Sequence, residues 1–417
     1  MRRHPTRRRF LTELTAGTVL IPTATATTGN QLPPTVASLE AHWENIRGQF
    51  IFEEQRVPMN AANLCPSPRG VAERVSALTQ DIDRDCSSQN RQKFRALLEQ
   101  TRKKIAKSLG TSANQLALVR NTSEANNIVN GGLPLKAGDE VVLWDQNHPT
   151  NNVAWEVRAA RFGFSVTRVS TPSRPTGIDE LVDTFERALT PNTRVLALTH
   201  VSNVTGIRLP ISHLCDVAHR LGIHVHVDGA QSWGALAVDL EKLACDSFTA
   251  SAHKWFLGPK EVGLLYVRPE TVDRLWPSVV APSWGNQVEP RPVGARKFES
   301  MGQRDDAALA ATGTADDFHS RIGRTQIEDR VTTLTTRLKE GLVEAGYQLV
   351  TPMDPDLSGG VCIADVPSNE RPELIERLYT EHGIAAAATG GLRLCPHLYN
   401  TAEHIDRAVS GAKKLKA

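Results

Sequence analysis

The chain has 417 residues, enough for two or more domains each with its own core. Its formal net charge is only +2, part of the basic excess sits in the first nine residues, and no basic stripe is interleaved with aromatics, which argues against a nucleic-acid surface. The six cysteines, Cys65, Cys86, Cys215, Cys245, Cys362 and Cys395, are scattered without a CxxC pair, which argues against zinc and iron–sulfur sites and against a small disulfide scaffold.

At the N-terminus, Thr6-Arg7-Arg8-Arg9-Phe10-Leu11 precedes a mildly apolar run from Leu14 to Ile21 and then Ala24-Thr25-Ala26. A charged head, a short apolar middle and a small-x-small end predict a signal peptide over residues 1–26, and the paired arginines predict the twin-arginine route. The protein would then be periplasmic or secreted; if the segment is only a basic tail, it stays in the cytoplasm. The apolar run is too short to span a bilayer stably. A twin-arginine substrate crosses folded, so a cofactor loaded in the cytoplasm can travel with it.

A polar linker is expected over 31–37 and a helix over 39–47, within an N-terminal linker-and-helix region spanning 27–60. Residues 92–109 carry Phe94, Leu97, Leu98, Ile105 and Leu109 at helical spacing, and Gly110 marks the stop. Short apolar runs follow at 116–119, 140–144, 165–169, 195–199, 224–227, 247–250 and 263–267. Helical stretches lie between most of them, at 178–189 and 211–221 for example. That alternation predicts a large α/β domain on a mainly parallel sheet, over 61–320. A long polar helix at 327–345 then introduces a smaller α+β domain, 321–417, with strands at 360–364 and 391–394 and a helix at 373–382.

Ligands in open α/β sheets bind beyond the carboxyl ends of the strands, and five such positions carry polar groups. Thr122 and Ser123 follow the first run and open a helix, which is either a phosphate seat or an ordinary N-cap. His148 follows the second run, placed to stack on a flat cofactor or simply to occupy a turn. Asn203 follows the 195–199 run, as a donor to a phenolic or carboxylate oxygen or as a turn residue before Gly206. His224-Val-His226-Val-Asp228 puts three potential metal ligands on one face of a strand, so a metal-dependent hydrolase is a rival reading. No further ligand cluster follows, and a metal is not expected. Finally, Ser251-Ala-His253-Lys254 ends the 247–250 run. A lysine amine in such a turn loses solvation and becomes a nucleophile and base, and an acid at an earlier strand end is what a pyridinium nitrogen needs.

Taken in order, Thr122-Ser123, His148, Asn203, Asp228-x-x-Gln231 and Ser251-x-His253-Lys254 resemble the motifs of the aminotransferase class V family, fold-type I pyridoxal-phosphate enzymes that include cysteine desulfurases and isopenicillin N epimerase. Arg393-Leu-Cys-Pro-His-Leu-Tyr399-Asn400 is similar to the family's C-terminal signature, and the likeness spans roughly 60–405. The resemblance implies pyridoxal 5′-phosphate as cofactor and Lys254 as its aldimine lysine and proton shuttle. It implies Asp228 at the pyridine nitrogen, Gln231 and Asn203 near the phenolic oxygen, and His148 on the ring face. Thr122, Ser123, Ser251 and His253 would hold the phosphate, and Arg393, with Asn203, the substrate carboxylate. It also implies a homodimer in which a neighbouring subunit completes the phosphate site. Gly302-Gln303-Arg304-Asp305 resembles that loop, with Gln303 where the family has Thr, and Gly313-Thr314 is a second candidate.

Desulfurases of this family use a loop cysteine ahead of the carboxylate-binding arginine; residues 383–391 contain none. The expected reaction is therefore at Cα of an amino acid, transamination or isopenicillin N epimerase-like inversion. A Cβ–S lyase on a cysteine conjugate is the competitor, and the small residues of 385–391 suggest room for a bulky substrate.

Overall fold

Strand-forming runs of valine and leucine build one seven-stranded sheet. In a computed structural model that describes residues 36–280 and 292–416, the strands are β1 (Val57–Pro58), β2 (Leu116–Val119), β3 (Glu140–Trp144), β4 (Ser165–Val169), β5 (Thr193–Thr199), β6 (His224–Asp228), β7 (Ser247–Ser251), β8 (Gly263–Val267), β9 (Cys362–Ala364), β10 (Ile384–Ala385) and β11 (Leu392–Leu394). The large sheet has the order β2-β8-β7-β6-β5-β3-β4. Neighbours are parallel from β7 through β4, and β8 runs antiparallel to β2 and β7. This is the mainly parallel α/β sheet expected from the alternation, with strand ends only a few residues from the expected ones. The signal-peptide segment lies outside the described residues.

Helices cover both faces, so β2, β3, β6, β7 and β8 are buried along their length. Most therefore read as continuous apolar runs. The exceptions are β6 and β7, which are fully buried yet alternate polar and apolar residues. Val225, Val227, Phe248 and Ala250 fill the main hydrophobic core. His224, His226, Asp228, Ser247, Thr249 and Ser251 form two adjacent polar stripes on the other face, with His226 opposite Ser247 and Asp228 opposite Thr249. Buried polar groups must find hydrogen-bond partners, and the partners are what organise the site described below.

The C-terminal region packs the helices Arg324–Glu344, Arg371–His382 and Ala402–Lys416 around two small pairs, β9 with β11 and β1 with β10. Its core takes Val57 and Met59 from the far N-terminal side of the sequence, beside Leu338, Leu378, Leu394 and Ile405. Residues 41–417 form a single compact unit; of residues 1–40, the described ones begin the helix Val36–Arg47. Residues 36 and 37, expected in a linker, are helical. Among the described residues no helix is long and apolar enough to cross a membrane.

The helix Asp306–Ile322 was not expected. Its alanines and threonines are buried on nearly every side, so no amphipathic period marks it. Gly313-Thr314 lies in its middle rather than in a loop. A Cβ at Gly313 would stand 2.8 Å from Thr101 Oγ1, so this glycine permits close packing on the helix Ser88–Ser108 and is not a phosphate contact. At the end of β6, Gly229 is similarly constrained: a Cβ there would fall 1.9 Å from the Phe248 ring. The chain can leave the Asp228 position only through a residue without a side chain.

Candidate active site

The carboxyl ends of β2, β5, β6 and β7, and the turn after β3, surround a cavity of about 160 Å³. Thr122, Ser123, His148, Asn203, Asp228, Gln231, Ser251, His253 and Lys254 all line it, so the structure brings together the residues the motifs pointed to within one chain, except Arg393, Gly302 and Gln303.

Lys254 lies just past β7, half-buried, in a turn that leads into Trp255 and Phe256. Among the described residues its amine has no hydrogen-bond partner. Burial pushes its pKa below the ordinary lysine value; the Asp228 carboxylate opposes that shift and the Arg393 guanidinium adds to it. A lowered amine pKa raises the fraction of free base, the form that acts as nucleophile and base.

Asp228 ends β6 and is buried. Its Oδ1 accepts the Ala230 backbone N–H at 3.0 Å and its Oδ2 accepts Asn126 Nδ2–H at 2.9 Å. Asn126 sits one turn into the helix Thr122–Gly132. At the opening of that helix Asn121 is the N-cap, accepting from Glu124 N at 3.0 Å. Ser251 Oγ accepts the Thr122 N–H at 2.9 Å and lies 2.6 Å from Thr122 Oγ1. Hydroxyls clustered at a helix N-terminus suit an anion. His253 completes that side; burial, then Lys254 and Lys260, push its pKa down to about 4, so it serves as a neutral donor.

His148 caps the helix Pro149–Phe162 and is exposed at the cavity mouth. Its Nδ1 accepts from Thr150 N at 3.3 Å, which leaves the proton on Nε2. Burial, then Lys254, lower its pKa. Gln231 is held at both ends: Oε1 accepts Trp255 Nε1–H at 2.8 Å and Nε2 donates to Ala62 O at 3.1 Å.

Arg393, on β11, lies beside the cavity. Its Nη1 donates to Asn203 O at 3.2 Å and its Nη2 to Asn60 Oδ1 at 3.0 Å, while Nε is buried without a partner among the described residues. The side chain is nearly fully buried, and among the described residues no carboxylate pairs with it. A buried guanidinium satisfied only by neutral acceptors is costly and is suited to an incoming carboxylate. Asn60, Asn126 and Trp255 were not expected at the site; the wide separation in sequence of Asn60 from Arg393 left no local signal. Gly390 and Gly391 do not open space for substrate: a Cβ at either would stand 2.3 Å from Val204 O or 2.2 Å from Ala364 O. Gly302 and Gln303 do not line the cavity of their own chain, and Gln303 is exposed.

The histidines of the H-x-H-x-D stretch are committed to protein partners. Ser247 Oγ lies 3.0 Å from His224 Nε2 and 2.9 Å from His226 Nδ1, and Asn126 Oδ1 lies 3.0 Å from His226 Nε2. Among the described residues no group of three or more His, Cys, Asp or Glu side chains is arranged to hold a metal. Nor is there an activated thiol. Cys65, near Lys254, is buried with its pKa pushed up to about 12, and burial raises those of Cys362 and Cys395 too.

The donor set fits pyridoxal phosphate. Hydroxyls and a helix start face one side of the cavity, a carboxylate anchored by two N–H donors another, and an unpartnered amine lies between. The buried Thr199 Oγ1 in the cavity wall also has no hydrogen-bond partner among the described residues.

A family model described as aminotransferase class-V matches residues 71–407. The chain is 32% identical over 393 residues to isopenicillin N epimerase of Streptomyces clavuligerus, covering 90% of this chain and 98% of that one. It is 30% identical over 348 residues to a cysteine desulfurase of Klebsiella pneumoniae, covering 77% and 83%. Among solved structures, a C-DES mutant with glycine covalently linked to its PLP cofactor superimposes with a TM-score of 0.81 at 24% identity, over 88% of this chain and 98% of that one. A cysteine desulfurase from Thermococcus onnurineus gives 0.80 at 22% identity, over 89% and 97%.

Proposed function

The chain belongs to the aminotransferase class-V family, and we propose that it is a pyridoxal-phosphate enzyme acting at Cα of an α-amino acid, by isopenicillin N epimerase-like inversion or by transamination. The observation that carries this reading is the half-buried Lys254 amine, without a hydrogen-bond partner among the described residues, in one cavity with Asp228 and within electrostatic reach of Arg393. Pyridoxal phosphate supplies a ring that accepts the electron pair left when the Cα–H bond breaks.

The chain's own residues do the rest. Lys254 is the amine that holds the cofactor and moves the proton at Cα. Asp228 would accept the pyridine N–H. Thr122, Ser123, Ser251 and His253 would bind the phosphate, His148 would cover the ring, and Gln231 and Asn203 would serve the phenolic oxygen. Arg393 takes the substrate carboxylate in the place its unpartnered Nε leaves available.

Inversion is favoured by the relative covering nearly the whole chain at 32% identity, and persulfide chemistry is disfavoured by the raised thiol pKa values. The test is to incubate the holoenzyme with a panel of amino acids in heavy water and follow loss of the Cα proton. Products are then sorted into inverted amino acid, keto acid, or pyruvate plus thiol, the last marking the lyase. No Cα exchange with any amino acid would sink the reading. With the best substrate, Arg393→Lys is expected to raise KM by roughly tenfold to several hundredfold, because a single ammonium cannot replace a bidentate fork. An unchanged KM would take the carboxylate away from Arg393.

A homodimer is part of the proposal. Gly302 and Gln303 stand outside their own cavity, and Trp276, Val279 and Val280 are exposed large apolar residues; sedimentation as a monomer would refute it. So is twin-arginine export of residues 1–26, for which Arg7→Lys with Arg8→Lys should retain the protein in the cytoplasm.

A further inference from the structure

The polar stripes of β6 and β7 carry more order than packing alone requires. A carboxylate can only accept, so Asn126 Nδ2 donates to Asp228 Oδ2 and Asn126 Oδ1 is left as an acceptor. That oxygen takes the Thr249 hydroxyl at 2.6 Å and lies 3.0 Å from His226 Nε2, which must therefore carry a proton. Burial holds both imidazoles neutral, with pKa values pushed down to about 3 for His226 and about 4 for His224. With its proton on Nε2, His226 accepts at Nδ1 from the Ser247 hydroxyl, 2.9 Å away. Ser247 has then spent its only proton, and its oxygen accepts from His224 Nε2–H at 3.0 Å. Every bond points the same way, from His224 through Ser247, His226 and Asn126 to Asp228.

The geometry points to His224, Ser247, His226 and Asn126 as a positioning relay, a one-way chain of donors that holds the Asp228 carboxylate in one orientation, as the acceptor that would keep the proton on the cofactor's pyridine nitrogen. This rests on the pyridoxal-phosphate reading. Donors favour the charged form of a carboxylate, and bonds aligned head to tail polarise one another. The Asn126 amide cannot turn over: Thr249 and His226 both donate to its oxygen, and a rotated amide would present that oxygen to Asp228. The register of β6 on β7 holds Ser247 and Thr249 opposite His226 and Asp228. The H-x-H-x-D stretch thus serves the acid at its end.

Two measurements test the relay. In protein selectively labelled with 15N-histidine, with and without cofactor, His224 and His226 are expected as neutral Nε2–H tautomers from about pH 6 to about pH 9. An Nδ1–H tautomer or an imidazolium at either position overturns the relay. In holoenzyme carrying 15N-pyridine-labelled cofactor, Asn126→Leu should move the ring resonance from the protonated toward the unprotonated position. It should also lower kcat roughly tenfold to a hundredfold with KM nearly unchanged. Ser247→Ala should move the resonance less, in the same direction, and Ser247→Thr, which keeps the hydroxyl, should restore it. If Asn126→Leu does not fold, the Ser247 pair carries the test. A folded, cofactor-loaded Asn126→Leu or Ser247→Ala protein with an unmoved ring resonance makes the chain structural only and overturns the proposal. Failure of the wild-type protein to take up the cofactor, with both tautomers as expected, would instead overturn the functional reading.

Discussion

Lys254→Ala is expected to lower turnover by about 10⁴-fold or more and to abolish both the Schiff-base absorbance band and the covalent fixation of the cofactor to the protein by borohydride. Two functions are lost together. Covalent attachment through an activated amine divides a difficult step into easier ones, and a positioned base at Cα contributes about 10²–10⁴-fold by itself. Among the described residues no other lysine lines the cavity. His253 and His148 are neutral imidazoles in the same cavity, and neither is an amine. The Thr122 and Ser251 hydroxyls at the helix start are untouched, so under the proposed reading the variant should still bind cofactor non-covalently. Small primary amines added to the variant should restore part of the activity by supplying the missing base. A variant that keeps a chromophore fixed by borohydride would show that another amine holds the cofactor.

The strands and most cavity residues were legible because a parallel sheet writes them plainly. Buried strands read as apolar runs, and the polar breaks at their carboxyl ends are where a ligand can bind. Thr122, His148, Asn203, Asp228 and Lys254 all stand at such breaks. Asn126 and Asn60 do not. Asn126 looks like an interior helix residue, and its partner Asp228 lies 102 positions away; Asn60 meets Arg393 across 333 positions. Periodicity along one element says nothing about which residue of a distant element it will meet. The H-x-H-x-D stretch was legible as a pattern and ambiguous as chemistry, because a strand face that suits a metal also suits a hydrogen-bonded chain. Only the presence of Ser247 and Asn126 between the groups separates the two. Tyr399 and Asn400 tie the N-terminal stretch to the C-terminal region: Tyr399 packs on Phe50 and Phe52 and donates to Cys65 Sγ at 3.5 Å, and Asn400 donates to Pro58 O at 3.1 Å.

The buried histidines are expected to make the protein acid-labile, with a cooperative unfolding transition between about pH 5.5 and pH 4.5. His200, His224, His226, His319 and His397 are all buried, and burial holds their pKa values at about 3, 4, 3, 4 and 3, below the unfolded-chain value of 6.5. A folded-state pKa that is depressed means that the unfolded chain binds more protons below pH 6.5. Stability is therefore fully present above that value and falls as the pH drops toward the folded pKa values. Well below pH 6.5 each such group removes about 1.4 kcal/mol per pH unit, and five together remove about 7 kcal/mol per unit. Against a typical total of about 5–15 kcal/mol, that is enough to unfold the chain near pH 5. At that pH most carboxylates are still charged; Glu99, held down to about 2 by Arg296, adds a loss of the same sign only further into acid. His200→Gln isolates one group, since its Nδ1 is buried without a partner. It should lower the midpoint and reduce the proton uptake on unfolding at pH 5 by about one. Uptake of fewer than about two protons on acid unfolding of the wild-type protein would mean that these histidines are already charged in the fold. The neutral tautomers on which the His224–Asn126 chain depends would fall with them.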